Sequence, residues 1–358
     1  MACWLKPLKV VVCAGTGGVG KTTMAAAMAW GEANQGRRVL VLTIDPARRL
    51  ADALGIQLKA DEQSVKIPGT GELTAAMIDA QAVFTDFVRR ASPNPQVSER
   101  LLHNRLFKEL SSSLSGSQEF TSLERLLVAV ESGRFDLIVL DTPPTQHAID
   151  FLRAPERIFS LFQDSVTRWF TQPDGQGGVL RQVFNRGTKT VLSALERLTG
   201  RGFLTELSEF FIAAAEIQST VAARSIAVHR LLAQADTGFA LVTAFDEAKM
   251  KEATDFAADL RRSGHSLKAV IINRALPLWL KDDSGAAVLA TGDETLQRLE
   301  ALRLNMAQYY HRRDIGYTQM IERLHGEAVV LSVPEEKQSI EGVVGLSRIA
   351  EHLQGEKT

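Results

Sequence analysis

Gly15, Gly20, Lys21 and Thr22 stand in the spacing G-x-x-x-x-G-K-T. Glycines at these positions let a backbone wrap round phosphate with its N–H groups pointing inward. A strand candidate, Leu8–Cys13, precedes the loop, and an Ala- and Met-rich helical stretch, Thr22–Asn34, follows it. The N-terminus of that helix adds positive dipole. Gly15, Thr16, Gly17, Gly18, Val19, Gly20, Lys21, Thr22 and Thr23 are therefore expected to cradle the phosphates of ATP. Lys21 would reach the β- and γ-phosphates, and the Thr22 hydroxyl would ligand Mg²⁺.

Two carboxylates close apolar runs. Asp45 ends Val39–Ile44, and Asp141 ends Leu137–Leu140. Ligands of an open parallel sheet sit at the carboxyl ends of its strands, so both acids are expected at the phosphate end. Asp141 has the pattern of a residue that holds Mg²⁺, usually through water. Asp45 is free to orient or deprotonate the attacking water. An Asp beside a turn can also serve only as a cap, and that reading stays open for both.

These residues need a frame to position them. Leu8–Cys13, Arg38–Ile44, Leu73–Ile78, Asp136–Leu140, Phe239–Thr243, Lys268–Ile272 and Ala328–Leu331 read as strands, most nearly continuous in Val, Ile and Leu. Strands covered on both faces look like this, and helical patterns between them give the βαβ signature. Asp246 is expected to cap a helix running to about Ser263, with Gly264 after it, and Thr295–Arg312 reads as another helix. Leu296, Leu299, Leu302, Met306 and Tyr309 share one face of the latter. The fold class expected is α/β, a doubly wound and mostly parallel sheet with a helical insertion.

Residues 1–153 would form the first part of the nucleotide-binding core and 236–358 the second. The stretch 154–235 has no convincing strand and carries Phe159, Phe162, Trp169, Phe170, Phe184, Phe203, Phe210 and Phe211 among helically spaced apolar residues. These side chains could line a groove for an apolar helix or form the insertion's own core.

Bulk properties narrow the partners. A formal net charge of -1 gives no general excess of positive charge for nucleic acid or an anionic membrane. Cys3 and Cys13 make neither a disulfide framework nor a zinc site, and Cys13 reads as a small buried residue at a strand end. No signal-peptide pattern and no apolar run of spanning length is seen, so a cytoplasmic protein is expected.

The motifs together resemble the arsenical-pump ATPase and tail-anchored-protein-targeting ATPase family. Besides the loop, the resemblance rests on Asp45-Pro46-Ala47 with Leu50 and Asp52, and on Phe135 to His147 with Phe151-Leu152-Arg153 and Pro155. It continues through Val270-Ile271-Ile272-Asn273-Arg274, Val333-Pro334-Glu335-Glu336 and Ile340-Glu341-Gly342. It implies Mg-dependent ATP hydrolysis, with Asp45 and Lys21 as catalytic residues and Thr22 and Asp141 at the metal. Asn273, Pro334 and Glu335 would contact adenine. It also implies a dimer, of identical or paralogous subunits, that opens and closes with nucleotide state and handles a hydrophobic or membrane-protein client. An energising subunit of an anion or metalloid transporter and a low-turnover regulatory subunit are the alternatives.

Three departures from the family pattern stand out. The intermonomer lysine, second in the family's loop, is Thr16 here. Arg48 and Arg49 are candidate substitutes, or plain surface arginines. The cysteines for arsenite and the zinc-binding pair of some targeting factors are missing. His147 matches a family histidine and reads equally as a helix-start residue.

Overall fold

The computed structural model describes residues 4–45, 49–58, 61–105, 107–108, 118–142, 203–275, 294–324, 326–335 and 342–354. The chain divides into two compact units. The first comprises Met1–Met77, Val128–Ile149 and Leu232–Thr358, and the second Ile78–Leu127 and Asp150–Leu231.

The first unit is built on an eight-stranded sheet. Its strands are β1 (Val10–Ala14), β2 (Arg38–Thr43), β3 (Gln63–Val65), β4 (Glu72–Met77), β5 (Leu137–Asp141), β6 (Thr237–Ala244), β7 (Leu267–Ala275) and β8 (Val329–Pro334). Their order is β3-β4-β2-β5-β1-β6-β7-β8. All neighbours pair in parallel except β3 with β4. The mostly parallel doubly wound α/β fold expected from the sequence is the one observed. The apolar runs make physical sense here: β1 and β5 are buried at every residue, as strands with helices on both faces must be. β3 was not legible beforehand, because only Val65 of its three residues is buried. The chain winds first to one side of β1 and later, through β6, to the other, so β1 lies at the switch point where such sheets bind ligands.

Helix α1 (Lys21–Asn34) follows β1 and is buried on nearly all sides. Short α2 (Arg49–Leu54) follows β2, and α9 (Gly342–Leu353) lies against α1 near the end of the chain. Gly31 permits that approach, since a Cβ there would meet Ala350 Cβ at 3.1 Å. The Trp30 indole donates to Ser347 Oγ (3.0 Å), and the Trp4 indole to the Leu353 carbonyl (3.0 Å). Helix α7 (Glu247–Arg262) starts and stops where its caps predict: the Asp246 carboxylate accepts from Ala248 N and Lys249 N, and Gly264 takes φ 74° after the end.

Helix α8 (Glu294–Leu324) runs twelve residues beyond the Arg312 end read from the sequence. Gly316 looks like a stop signal there, but it is a contact position: a Cβ would come 2.9 Å from Met250 Cε of α7. Leu299, Leu302, Met306 and Tyr309 are exposed. The shared apolar face read from the sequence therefore points outward over that part of the helix.

The described part of the second unit is helical: α3 (Ala80–Ala91), α4 (Pro95–His103), most of α5 (Gln118–Glu131) and most of α6 (Phe203–Leu232). Asp79 and Asn94 cap α3 and α4 through their side chains. Phe84, Phe87, Phe107, Phe120 and Phe210 form a ring cluster. Buried Glu124 takes Arg90 at 3.1 Å and Arg224 at 2.8 Å, which offsets the cost of its charge. Of the stretch 154–235, residues 154–202 lie outside the described residues; Phe210 faces inward, and nothing is described of the Phe203 and Phe211 side chains.

Candidate functional site

The glycine-rich loop joins β1 to α1 and is held open by backbone geometry. Gly15, Gly18 and Gly20 have φ of 148°, 79° and 93°. A Cβ on Gly15 would strike the Val242 carbonyl oxygen at 2.2 Å, and one on Gly20 the Asn273 side-chain nitrogen at 2.4 Å. Helix α1 starts on Gly20 with no side-chain cap bond, so its first N–H groups stay available to an anion. Thr16, Gly17 and Gly18 face outward to varying degrees, Val19 is buried, and Thr23 is half-buried on the helix.

Lys21 is buried and donates its ammonium to the Thr16 carbonyl at 3.1 Å, along the loop it would share with phosphate. Burial pushes its pKa down, and the Asp141 charge opposes that shift. Cys13 is fully buried and donates its Sγ hydrogen to the Lys21 carbonyl (3.4 Å); burial first and the Asp141 charge second hold its thiol protonated. It is thus the packing residue the sequence suggested.

Asp141, 2% exposed, ends β5 beside the loop. Its Oδ2 accepts from Thr22 Oγ1 at 2.7 Å and from Thr43 Oγ1 at 2.9 Å. Its Oδ1 is buried and has no hydrogen-bond partner among the described residues. Burial raises its pKa from 3.8 to about 6, against the lowering effect of the two hydroxyls and Lys21. A bare carboxylate oxygen beside a threonine hydroxyl suits a hard cation that completes its shell with phosphate and water oxygens. The donor set fits Mg²⁺.

Asp45 follows β2. Its backbone N–H donates to Thr43 Oγ1 (3.2 Å), and its carboxylate pairs with Arg49 at 3.4 Å. The charges of both residues act on Lys21, and Asp45 also acts on Asp141, so the four groups share one electrostatic site. Pro46, Ala47 and Arg48 lie outside the described residues, as do 143–153 with His147.

On the β7–β8 side, Asn273 is buried and its side-chain amide donates to the Val19 carbonyl at 2.9 Å, while its Oδ1 accepts from Arg274 N. The residue expected at the base thus also braces the phosphate loop. Arg274 takes φ 52°, a left-handed conformation uncommon for a residue with a Cβ. Pro334 pairs in register with Ala275, and Glu335 N donates to the Ala275 carbonyl at 3.1 Å. The Tyr310 hydroxyl donates to Glu335 Oε2 at 2.9 Å, and Tyr310 stacks against Phe245 at 6.3 Å between centroids. Residues 336–341 lie outside the described residues.

Thr43 and Tyr310 were missed in the sequence. Both sit among strand or helix residues that read as ordinary packing, and their hydroxyl partners lie 98 and 25 residues away in the chain.

Loop, switch point and buried carboxylate together define a P-loop nucleotide-binding protein of the doubly wound α/β class. A family model described as anion-transporting ATPase matches residues 8–355. The chain is 27% identical over 210 residues to ATPase GET3 of Malassezia globosa, covering 58% of this chain and 60% of that one. It is 31% identical over 151 residues to ATPase get3 of Schizosaccharomyces pombe (41% and 44% covered). It is 34% identical over 152 residues to ATPase ASNA1 homolog 1 of Paramecium tetraurelia (41% and 44% covered). Each match spans less than two thirds of the relative. The chain belongs to the anion-transporting ATPase family.

Proposed function

We propose that this protein hydrolyses ATP in the cytoplasm and works as a nucleotide-driven dimeric switch for a hydrophobic or membrane-protein client. The observation that carries the chemistry is the Thr22–Asp141 contact at 2.7 Å beside a carboxylate oxygen without a partner among the described residues. Thr22 would hold Mg²⁺ directly and Asp141 through water, and the ion supplies charge neutralisation at the β- and γ-phosphate oxygens. Lys21, released from the Thr16 carbonyl, binds the same oxygens. Asp45 orients water so that its oxygen attacks the γ-phosphorus as the bond to the β–γ bridging oxygen breaks. Asn273, Pro334 and Glu335 are assigned to adenine. The residues 154–235 are assigned to the client or partner. No helix among the described residues is long and apolar enough to cross a membrane.

Thr16 supports a second reading, a low-turnover ATP-binding subunit that needs a paralogue's lysine. Arg49, 3.4 Å from Asp45, is the substitute cation in the first reading. Phosphate release by the purified chain separates them. Robust Mg²⁺-dependent turnover that falls about 10²–10³-fold in Asp45→Asn supports the first reading. Unchanged turnover in that variant removes Asp45 from its role. Tight ATP binding without turnover favours the second.

A further inference from the structure

We infer that Thr43 is a positioning residue that locks the metal-side carboxylate and the chain leaving β2 at Asp45 to one hydroxyl. The inference rests on the nucleotide reading above. Thr43 ends β2 and is 1% exposed. A strand end so buried is satisfied by valine, because the β-branched shape alone meets the packing and backbone requirement. A buried hydroxyl there costs free energy unless it bonds. It bonds twice. Its one hydrogen goes to Asp141 Oδ2 at 2.9 Å, and its oxygen receives Asp45 N at 3.2 Å.

The sheet makes the first bond possible, since Thr43 and Asp141 stand opposite each other in the β2–β5 register. With Thr22 donating to the same oxygen, two hydroxyls hold Oδ2 of the Asp141 carboxylate and leave Oδ1 buried without a partner among the described residues. The second bond starts the departing chain at Asp45 from the same anchor. Any change in Asp141 as cation and γ-phosphate bind is therefore passed to the Asp45 backbone through one side chain. Asp45 is the proposed water-orienting residue, so Thr43 acts on hydrolysis through both carboxylates and touches neither substrate nor metal.

The test compares Thr43→Val, Thr43→Ser and Thr43→Ala in the full chain. Loss of a partner that orients a metal-side ligand typically costs about 10–100-fold in metal affinity or activity. Thr43→Val is expected to lower kcat and to raise the Mg²⁺ concentration for half-maximal ATP binding, each by about 10-fold or more. Its affinity for ADP without Mg²⁺ should stay within about 3-fold, which a general loss of structure would not allow. Thr43→Ser should keep wild-type behaviour within about 3-fold, whereas Thr43→Ala should match Thr43→Val. Serine and alanine both remove the methyl, so their difference isolates the hydroxyl even if the valine variant does not fold. A Thr43→Val protein with wild-type Mg²⁺ dependence overturns the inference, as do serine and alanine variants impaired alike. A wild-type chain with no Mg²⁺-dependent ATP binding overturns the nucleotide reading, and the inference falls with it.

Discussion

Helices α1 and α8 both belong to the first unit, and each treats its apolar residues differently. Helix α1 is 14 residues long and rich in alanine, and Ala25, Ala26, Ala27 and Ala29 are fully buried. Helix α8 carries leucine, methionine and tyrosine at helical spacing, and it leaves Leu299, Leu302 and Tyr309 more than half exposed. The bulkier apolar side chains are therefore the more exposed, so side-chain size alone does not predict which helix is buried. Small side chains let α1 approach the sheet and α9 on several sides, which larger ones would prevent. That close fit is also what seats Lys21 and Thr22 beside Asp141. The first region is closely packed where the chemistry is assigned, and the second presents a surface.

The contrast can be broken by overfilling the first region. Ala26→Leu, at a position 0% exposed, should destabilise the protein by about 3 kcal/mol. Urea unfolding measures this, and a loss under about 1 kcal/mol would show that α1 has room the packing denies it.

Removing the buried charge sharpens the contrast next. Burial raises Asp141 from 3.8 to about 6, so the folded protein favours the neutral acid. That contribution to stability is complete below about pH 4 and is lost as pH rises through about 6. Nucleotide-free Asp141→Asn, whose carbonyl still accepts from Thr22 and Thr43, should be more stable than wild type by on the order of 2 kcal/mol at pH 7. The advantage should shrink towards pH 4, and a difference that does not vary with pH would show that the carboxylate is solvated.

The smallest effect belongs to the second region. Leu302, 59% exposed on α8, should tolerate Leu302→Ala within about 0.5 kcal/mol in thermal unfolding. A loss comparable to that of Ala26→Leu would mean that the α8 face is covered in solution.

Local signals were legible wherever cause and effect lie close in the chain. Asp246 and Gly264 bracket α7 because a cap bonds backbone within one turn. Gly15 and Gly20 declare their loop because only glycine adopts those φ values without strain. The extension of α8 through Gly316 was hidden, since the reason for that glycine is Met250, 66 residues earlier and on another helix. The Asn273 side chain was expected at a base, and its bond to Val19 O spans 254 residues.

By itself, then, the chain determined the phosphate loop, the parallel apolar strands and the two carboxylates at strand ends. Each of these is written in residue type and short spacing, through backbone freedom, side-chain period and strand direction. Only the tertiary structure decided that Thr43 stands beside Asp141, that Asn273 braces the loop, that α1 is interior and that the α8 leucines are not. Those outcomes depend on which strands become neighbours and which faces find a partner. Strand order and helix docking bring together residues far apart in sequence, and no local pattern encodes them.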